Sequence, residues 1–562
     1  MKFTADFHIH SKYSRATARN LDLENLYVAA QKKGLTVIGT GDFTHPAWWR
    51  EIKEKLRPAY DGDGLFELKP DIAGAVDAQV PGACRRPVRF MLVTEISNIY
   101  KKEERTRKNH NLVFMPDLDS AERFNTRLGD IGNIESDGRP ILGLDARNLL
   151  EIVLETDARG FLIPAHVWTP WFSLLGSKSG FDSVEACFED LTPHIFALET
   201  GLSSDPAMNW RVSGLDRYTL VSNSDAHSPS KLGREANCFD TELSYTAIRS
   251  ALETSDPKTF LGTYEFYPEE GKYHVDGHRK CGFRSFPQQT KALDNRCPEC
   301  GKPLTLGVLY RVESLADRPE GRRSPRAASF RSLIPLEDLL SEVLQVGPKS
   351  KKVLQAGDRL IQTFGSELDI LCRVPREDLD RCGISLLAEA VERMRDGRVK
   401  FDPGYDGEFG QVRIFDPEER QALQGQQKLF DVQCHTDCVA GADSKVQAAA
   451  PDQPQHQVPF DFEPPEQSAA IQLNSRQQAV VDHRRGPLCI VAGPGTGKTR
   501  TITCRMATLL QQGIDTILAV TFTNKAAEEM RQRLTAMQDN CALGDGRPLI
   551  ATFHGLCWQL LQ

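Results

Sequence analysis

The chain has 562 residues, too long for one core and suggestive of three or four domains, and its 40% hydrophobic and 26% charged content is that of folded globular protein. No apolar run is long enough to cross a bilayer and no signal peptide precedes the first strand, so no membrane partner is expected; the 14 cysteines, some at metal-ligand spacing, point to a reducing cytoplasm rather than a disulfide framework. A formal net charge of −8 argues against nucleic acid, but bound metal would neutralise acids, and Arg318, Arg322, Arg323, Arg326 and Arg331 crowd one stretch that reads as a phosphate-contacting patch or a solvated loop.

In chain order, Phe3, Ala5 and Phe7 alternate with Thr4, Asp6 and His8, the period of a short strand. Residues two apart in extended chain share a face, so His8 and His10 can address one ion. A lone His-x-His is weak evidence, and two surface histidines would explain it. The pattern recurs, however. Leu35–Thr40 runs into Asp42 and His45, Phe90–Thr94 into Glu95, Phe161–Pro164 into His166, Ile195–Leu198 into Glu199, and Thr219–Val221 into Asp225 and His227. His110 instead stands at the start of its run, Asn111–Phe114. Helical patterns at Leu21–Lys33 and Arg147–Ala158 separate several runs, which predicts a parallel sheet. A closed barrel of that kind gathers the carboxyl ends of its strands at one rim, and so many ligand-type residues there predict a multi-metal site. Histidine-rich ligation suits zinc or manganese better than magnesium. Ser11, Lys12, Tyr13 and Arg15, directly after the metal histidines, are candidates for holding a phosphate. Trp168 and Trp171 follow His166 and are candidate walls of a base pocket, or ordinary core.

After this barrel, His278-Arg-Lys-Cys281 and Cys297-Pro-Glu-Cys300 form two pairs with two-residue spacers, the pattern of a closed, structural zinc site; His274 competes for the histidine position. Leu336–Leu344, Lys351–Phe364 and Ile384–Arg395 then show helical spacing. Gln421 to Gln467 lose all periodicity and read as a disordered linker. The apolar strand candidate Gly486–Val491 leads into Ala492-Gly493-Pro494-Gly495-Thr496-Gly497-Lys498-Thr499, a phosphate loop. Its amides would wrap the triphosphate of ATP, Lys498 would reach the β/γ-phosphates and Thr499 would hold magnesium.

The words His8-Ile-His10-Ser-Lys-Tyr-Ser-Arg15, Gly41-Asp42-Phe-Thr-His45, Thr94-Glu95-Ile-Ser, Lys108-Asn-His110, Ala165-His166-Val-Trp and Asn223-Ser-Asp225-Ala-His227 resemble the PHP metal-dependent phosphoesterases, and among them the endonuclease Q family of DNA-repair nucleases. The resemblance covers about three quarters of the chain. It implies a two- or three-metal cluster bridged by Glu95, catalysis centred on Asp225 and Glu95, and incision 5′ to deaminated bases or abasic sites. Some PHP enzymes carry a further histidine where this chain has Ala16, so a third ion would depend on Asp42 or His45. The words Tyr273-His-Val-Asp-Gly-His278 and Pro303-Leu-Thr-Leu-Gly307 resemble the zinc-bearing insertion of that family, and the segments around Gly365 and Gly383 resemble helix-hairpin-helix DNA-binding units. Leu473-Asn-Ser-Arg-Gln477, Thr521-Phe-Thr-Asn-Lys525 and Thr552-Phe-His-Gly555 resemble UvrD/Rep-type superfamily-one DNA helicases, which implies that Gln477 contacts adenine.

The expected organisation is therefore α/β. A PHP-type distorted (β/α)7 barrel occupies 1–265, a zinc-ribbon-like module 266–315, a helical domain 316–418 that reads as a helix-hairpin-helix-like DNA-binding unit or as an ordinary bundle bracing the barrel, a disordered linker 419–470 and a truncated RecA-like helicase domain 471–562. With no Walker B acids and no second lobe before Gln562, that last domain is expected to bind nucleotide weakly and not to unwind DNA. The expected partners are DNA and ATP, with no membrane. Two other readings compete with the nuclease: a small-molecule phosphoesterase, and a DNA-tethering platform whose metals are structural.

Overall fold

Phe3, Ala5 and Phe7 are all buried, as their alternation requires, and the strand they open, Lys2–Asp6, sits at the centre of a mixed sheet. The computed structural model describes residues 1–60 and 63–423 and, in the C-terminal region, chiefly 475–483, 498–514, 516–521 and 548–552. The chain divides into two units, Met1–Gly441 and Ala442–Gln562. Among the described residues no helix is long and apolar enough to cross a membrane.

In the first unit Lys2–Asp6 runs parallel to Val37–Gly39 and antiparallel to Ala236–Asp240. Val37–Gly39 pairs in parallel with Arg89–Lys102. That long strand turns back as Arg105–Met115, against which Phe161–Pro164 lies antiparallel. Ala197–Glu199 and Thr219–Val221 form a parallel pair, and a bridge between Ile9 and Ala226 ties the following loop to the extension of the first strand. One core cluster takes side chains from every one of these strands, among them Phe7, Val37, Val93, Phe114, Ile163, Ala197, Val221 and Phe239. Their neighbours Ile38, Phe90, Leu92, Val113, Leu162 and Leu198 point the other way, into a second cluster with Leu26 of helix Leu23–Lys33 and Leu149 and Val153 of helix Ala146–Thr156. With both faces covered, the strands are continuous apolar runs rather than alternating ones.

The all-parallel expectation fails where Ala236–Asp240 runs against the first strand and again around Arg105–Met115, which is antiparallel to both Arg89–Lys102 and Phe161–Pro164. Arg89–Lys102 and Arg105–Met115 are a hairpin, joined at Glu103 and Glu104 with φ of 50° and 61°. A two-residue turn with both φ positive normally carries Asn or Gly. Two glutamates there gave no hairpin signal. Elsewhere the helix predicted from Leu21 begins at Leu23, because the Asp22 carboxylate caps it by accepting from the Asn25 amide, and Gly34 ends it at φ 97°.

Beyond Phe260–Glu265 the chain makes a small hairpin, Asp276–His278 with Phe283–Ser285, and returns to the main sheet as Ser329–Ser332, parallel to Phe260–Glu265. Helices Leu336–Leu344, Lys351–Phe364, Glu367–Cys372, Arg376–Asp380 and Leu387–Arg395 follow. The last starts later than its apolar periodicity suggested because Leu386 takes φ 64°. Residues 417–423 are helical, so the start of the predicted linker is ordered; the rest of it lies outside the described residues.

In the second unit the described elements are helices Ser475–Asp482 and Lys498–Gln511 and the parallel strands Leu518–Thr521 and Leu549–Thr552. Gln477 lies on the first helix, and Lys498 and Thr499 open the second. Ala492, Gly493, Pro494, Gly495, Thr496 and Gly497 lie outside the described residues, as does the predicted strand before them apart from Gly486 and Leu488.

Candidate metal centre

The hairpin places the centre's key carboxylate. Glu95 faces Leu112 across it, and His110 faces Ser97, so Glu95 and His110 share one face. Because Arg105–Met115 runs against its neighbours, its early part lies level with the late parts of the parallel strands. That is why His110 precedes its apolar run while the other ligands follow theirs.

Two groups of metal-type donors meet at Glu95. His8, His10, Glu95 and Asp225 bring one donor atom each within 4.8 Å of one another, and so do Glu95, His110 and His166. Glu95 Oε2 lies 3.4 Å from His8 Nε2 and 3.3 Å from His10 Nε2, while Oε1 lies 2.7 Å from His110 Nδ1 and 3.2 Å from His166 Nε2. Asp225 Oδ1 is 3.0 Å from His10 Nε2. The residues fit divalent cations. His8 Nε2 and His166 Nδ1 are buried without a hydrogen-bond partner, and His110 Nδ1 and His166 Nε2 face each other at 3.3 Å. A mixed imidazole and carboxylate donor set suits zinc or manganese.

Asp42 and Glu199, expected as ligands, stand one step back. Asp42 Oδ1 faces His10 Nδ1 at 3.1 Å, and its Oδ2 accepts from the Ser11 amide and from the Ser11 and Ser14 hydroxyls. Glu199 faces His8 Nδ1 at 3.0 Å and accepts from the His166 amide and Asn223 Nδ2. Each carboxylate thus engages the far ring nitrogen and leaves Nε2 for an ion. His45 lies apart, stacked on Tyr13 at 4.6 Å with Nε2 donating to the Glu135 carbonyl. His227 Nδ1 donates to the Asp225 carbonyl and its ring lies 4.5 Å from that of His10. Neither Asp42 nor His45 assembles a third donor group among the described barrel residues.

Electrostatics match this arrangement. Burial would keep His8 and His10 neutral, but Glu199, Glu95 and Asp225 around His8, and Asp42 and Asp225 around His10, hold both well above the usual imidazole range. Burial also opposes charge on Glu95 and Asp225, yet His110, Arg139 and His8 hold Glu95, and His8 and His10 hold Asp225, well below the carboxylate range. Burial pushes His110 down to about 4. Asp42, His166 and Asp225 have φ of 45°, 32° and 47°, and such strain in residues with side chains gathers at functional sites.

The expected phosphate-holding side chains are engaged elsewhere. Lys12 Nζ pairs with Glu51 at 2.8 Å, and Arg15 Nε pairs with Asp137 at 3.1 Å. Sequence reasoning missed Arg139, whose Nη1 lies 3.0 Å from Glu95 Oε2 and whose loop carries no recognisable motif. Of the two tryptophans, Trp168 is core, fully buried with Nε1 donating to Asn209; Trp171 is exposed and packs edge-on against Tyr273. Phe172, also missed, has φ 61° and places its ring 4.9 Å from His110. The arginine-rich stretch folds back on its own unit: Arg318 pairs with Asp216, Arg326 donates to the Thr254 carbonyl, and Arg323 lies over Trp210.

A second centre lies in the small hairpin module. His278, Cys281, Cys297 and Cys300 bring their donor atoms within 4.8 Å of one another, with Cys300 Sγ 3.4 Å from His278 Nδ1. Each pair turns through a glycine, Gly282 at φ 63° and Gly301 at φ 70°. His274 is buried and stands outside this group.

Comparison with known proteins gives the fold a family. The lesion-specific endonuclease PfuEndoQ from Pyrococcus furiosus superposes with a TM-score of 0.64 at 31% identity, over 75% of this chain and 97% of that one. An endonuclease Q complex with a 27-mer duplex substrate carrying an abasic lesion at the active site superposes with a TM-score of 0.62 at 31% identity, over 75% and 98%. The uncharacterized protein YqxK of Bacillus subtilis (strain 168) is 30% identical over 430 residues, 73% of this chain and 99% of YqxK. Residues 335–398 match the MJ0043 C-terminal domain family, and residues 473–562 match the UvrD/REP helicase N-terminal domain family. The chain belongs to the endonuclease Q family and carries, after the endonuclease-like part, a UvrD/REP helicase N-terminal domain.

Proposed function

We propose that this protein is a metal-dependent DNA-repair endonuclease that incises 5′ to deaminated bases or abasic sites, joined to an ATP-binding helicase domain. The observation that carries the reading is Glu95, one carboxylate shared between two donor groups, His8, His10 and Asp225 on one side and His110 and His166 on the other. A phosphodiester resists attack because its charge repels hydroxide. Divalent cations held there would supply an activated water, neutralise the phosphate and stabilise the leaving oxygen. The chain's own part is to fix the donors: Asp42 and Glu199 orient His10 and His8, and Arg234 Nε anchors the Ser224 carbonyl beside Asp225. Phe172 beside His110 and the exposed Trp171 offer faces for an extruded base, and a damaged or mispaired base is less costly to flip.

The helical segment fits a DNA-backbone role. Helix Lys351–Phe364 follows a tight turn and presents exposed Lys349, Lys351 and Lys352 at its N-terminus, where backbone amides receive phosphate without reading sequence. His278, Cys281, Cys297 and Cys300 would hold one structural zinc, and the stretch Ala492–Thr499 would bind ATP with magnesium.

The test is a nicking assay with zinc, manganese and magnesium over duplexes carrying uracil, hypoxanthine, xanthine or an abasic site. The expected result is metal-dependent incision 5′ to at least one lesion that disappears in Asp225→Ala. Wild-type protein that holds its metals yet leaves every duplex uncut would overturn the proposal.

A further inference from the structure

Residues 135–140 form a strap across the loop that follows His10. The Glu135 carbonyl accepts from His45, and Asp137 accepts from the Arg15 amide and pairs with the Arg15 guanidinium. The Gly138 amide donates to the Tyr13 carbonyl, and the Pro140 carbonyl accepts from the Ser97 amide. Gly138 lies so close to Asp42 and Ser14 that a Cβ there would run into both side chains. His45 and Arg15 thus also act as braces of this strap. Its product is a fixed position for the next side chain, Arg139.

Among the described residues Arg139 is the arginine or lysine that pairs with one of the carboxylates of the two donor groups, through Nη1 and Glu95 Oε2 at 3.0 Å. A guanidinium has five N–H donors in a rigid fork, and one is accepted here by Glu95. The side chain is 26% exposed, so solvent reaches it while Nη1 is held on Glu95. A fixed cation beside two sites for divalent cations is repelled by their contents, which Glu95 offsets in part, and an anion lying between them relieves the rest. A phosphate is that anion, and a planar fork suits two of its oxygens.

Resting on the nuclease reading above, we infer that Arg139 is a catalytic residue that holds a non-bridging oxygen of the scissile phosphate. Charge on that oxygen grows as the attacking water adds, so the contact strengthens toward the transition state and acts mainly on kcat.

The experiment uses the full chain loaded with manganese, as wild type, Arg139→Ala and Arg139→Lys. Elemental analysis and thermal melting report the ions and the fold, calorimetric titration with inorganic phosphate reports anion binding, and the nicking assay separates kcat from KM. The expected result is unchanged metal content in both variants, a loss of about a hundredfold in kcat and weaker phosphate binding in Arg139→Ala, and partial recovery in Arg139→Lys. Arg139→Ala that nicks like wild type, or that loses its ions, overturns the inference, the latter by making Arg139 a structural partner of Glu95. If wild type itself does not nick, the nuclease reading fails; undiminished phosphate binding to metal-loaded Arg139→Ala would then still overturn the role of Arg139.

Discussion

Glu95 and His110 meet at 2.7 Å across a hairpin whose strands run in opposite directions, and through that contact one carboxylate belongs to two donor groups. The consequence is cooperative loading: an ion bound by His8, His10 and Asp225 fixes Glu95 for the ion bound by His110 and His166. Removing His166 should weaken both sites, and His166→Ala is expected to lower the metal content by more than one ion per chain at limiting metal, measured by elemental analysis after desalting.

Metal loading should release protons. Without ions, Glu199, Glu95, Asp225 and Asp42 outweigh burial and keep His8 and His10 protonated near neutral pH. Ligation requires neutral imidazoles, so titration with manganese near pH 7, with zinc already in the cysteine site, is expected to release about two protons per chain from the barrel site. Calorimetry in buffers of different ionisation enthalpy measures the number, and a buffer-independent heat would contradict the protonation scheme.

Asp42 and Glu199 act through the histidines behind which they stand. Asp42→Asn and Glu199→Gln keep the shape but change the hydrogen bond, and each is expected to lower metal affinity roughly 10–100-fold while the fold survives. Competition with a chelator reads this. A variant that loses its ions outright would show that the carboxylate is itself a ligand.

The buried Glu265 sets a pH dependence independent of metal. Burial pushes it well above its ordinary 4.5, although Thr263, Thr200 and Ser222 donate to it, and the buried Glu235 beside it is raised as well. The folded state then holds a proton that the unfolded state releases, so stability falls as pH rises above 4.5, by up to about 1.4 kcal/mol per unit for one such group. Glu265→Gln, neutral at every pH, is expected to flatten that fall in chemical denaturation between pH 5 and 9. An unchanged slope would contradict it.

Cys297→Ser tests the small module separately. It is expected to remove one zinc per chain and lower the melting temperature without changing the ions of the barrel, since its donors share no residue with the groups at Glu95.

Much of the centre was legible because ligands sit where apolar runs end, a position the chain reveals directly. His8, His10, Glu95, His166 and Asp225 were found that way, whereas His110 stood before its run and was singled out by its residue type. Which carboxylates join the donor groups and which face the far ring nitrogens was not legible, because Asp42 and Asp225 have the same chemistry and differ only in which nitrogen of His10 they face. The hairpin stayed hidden behind two glutamates at its turn. Arg139 was invisible because a strap held by backbone contacts has no pattern in sequence.

The shared carboxylate is tested most directly by electron paramagnetic resonance of the manganese-loaded chain with zinc in the cysteine site. An exchange-coupled manganese pair that becomes uncoupled, or is lost, in Glu95→Gln is the expected result. An uncoupled six-line signal in wild type, or coupling that persists in Glu95→Gln, would contradict a centre built on Glu95.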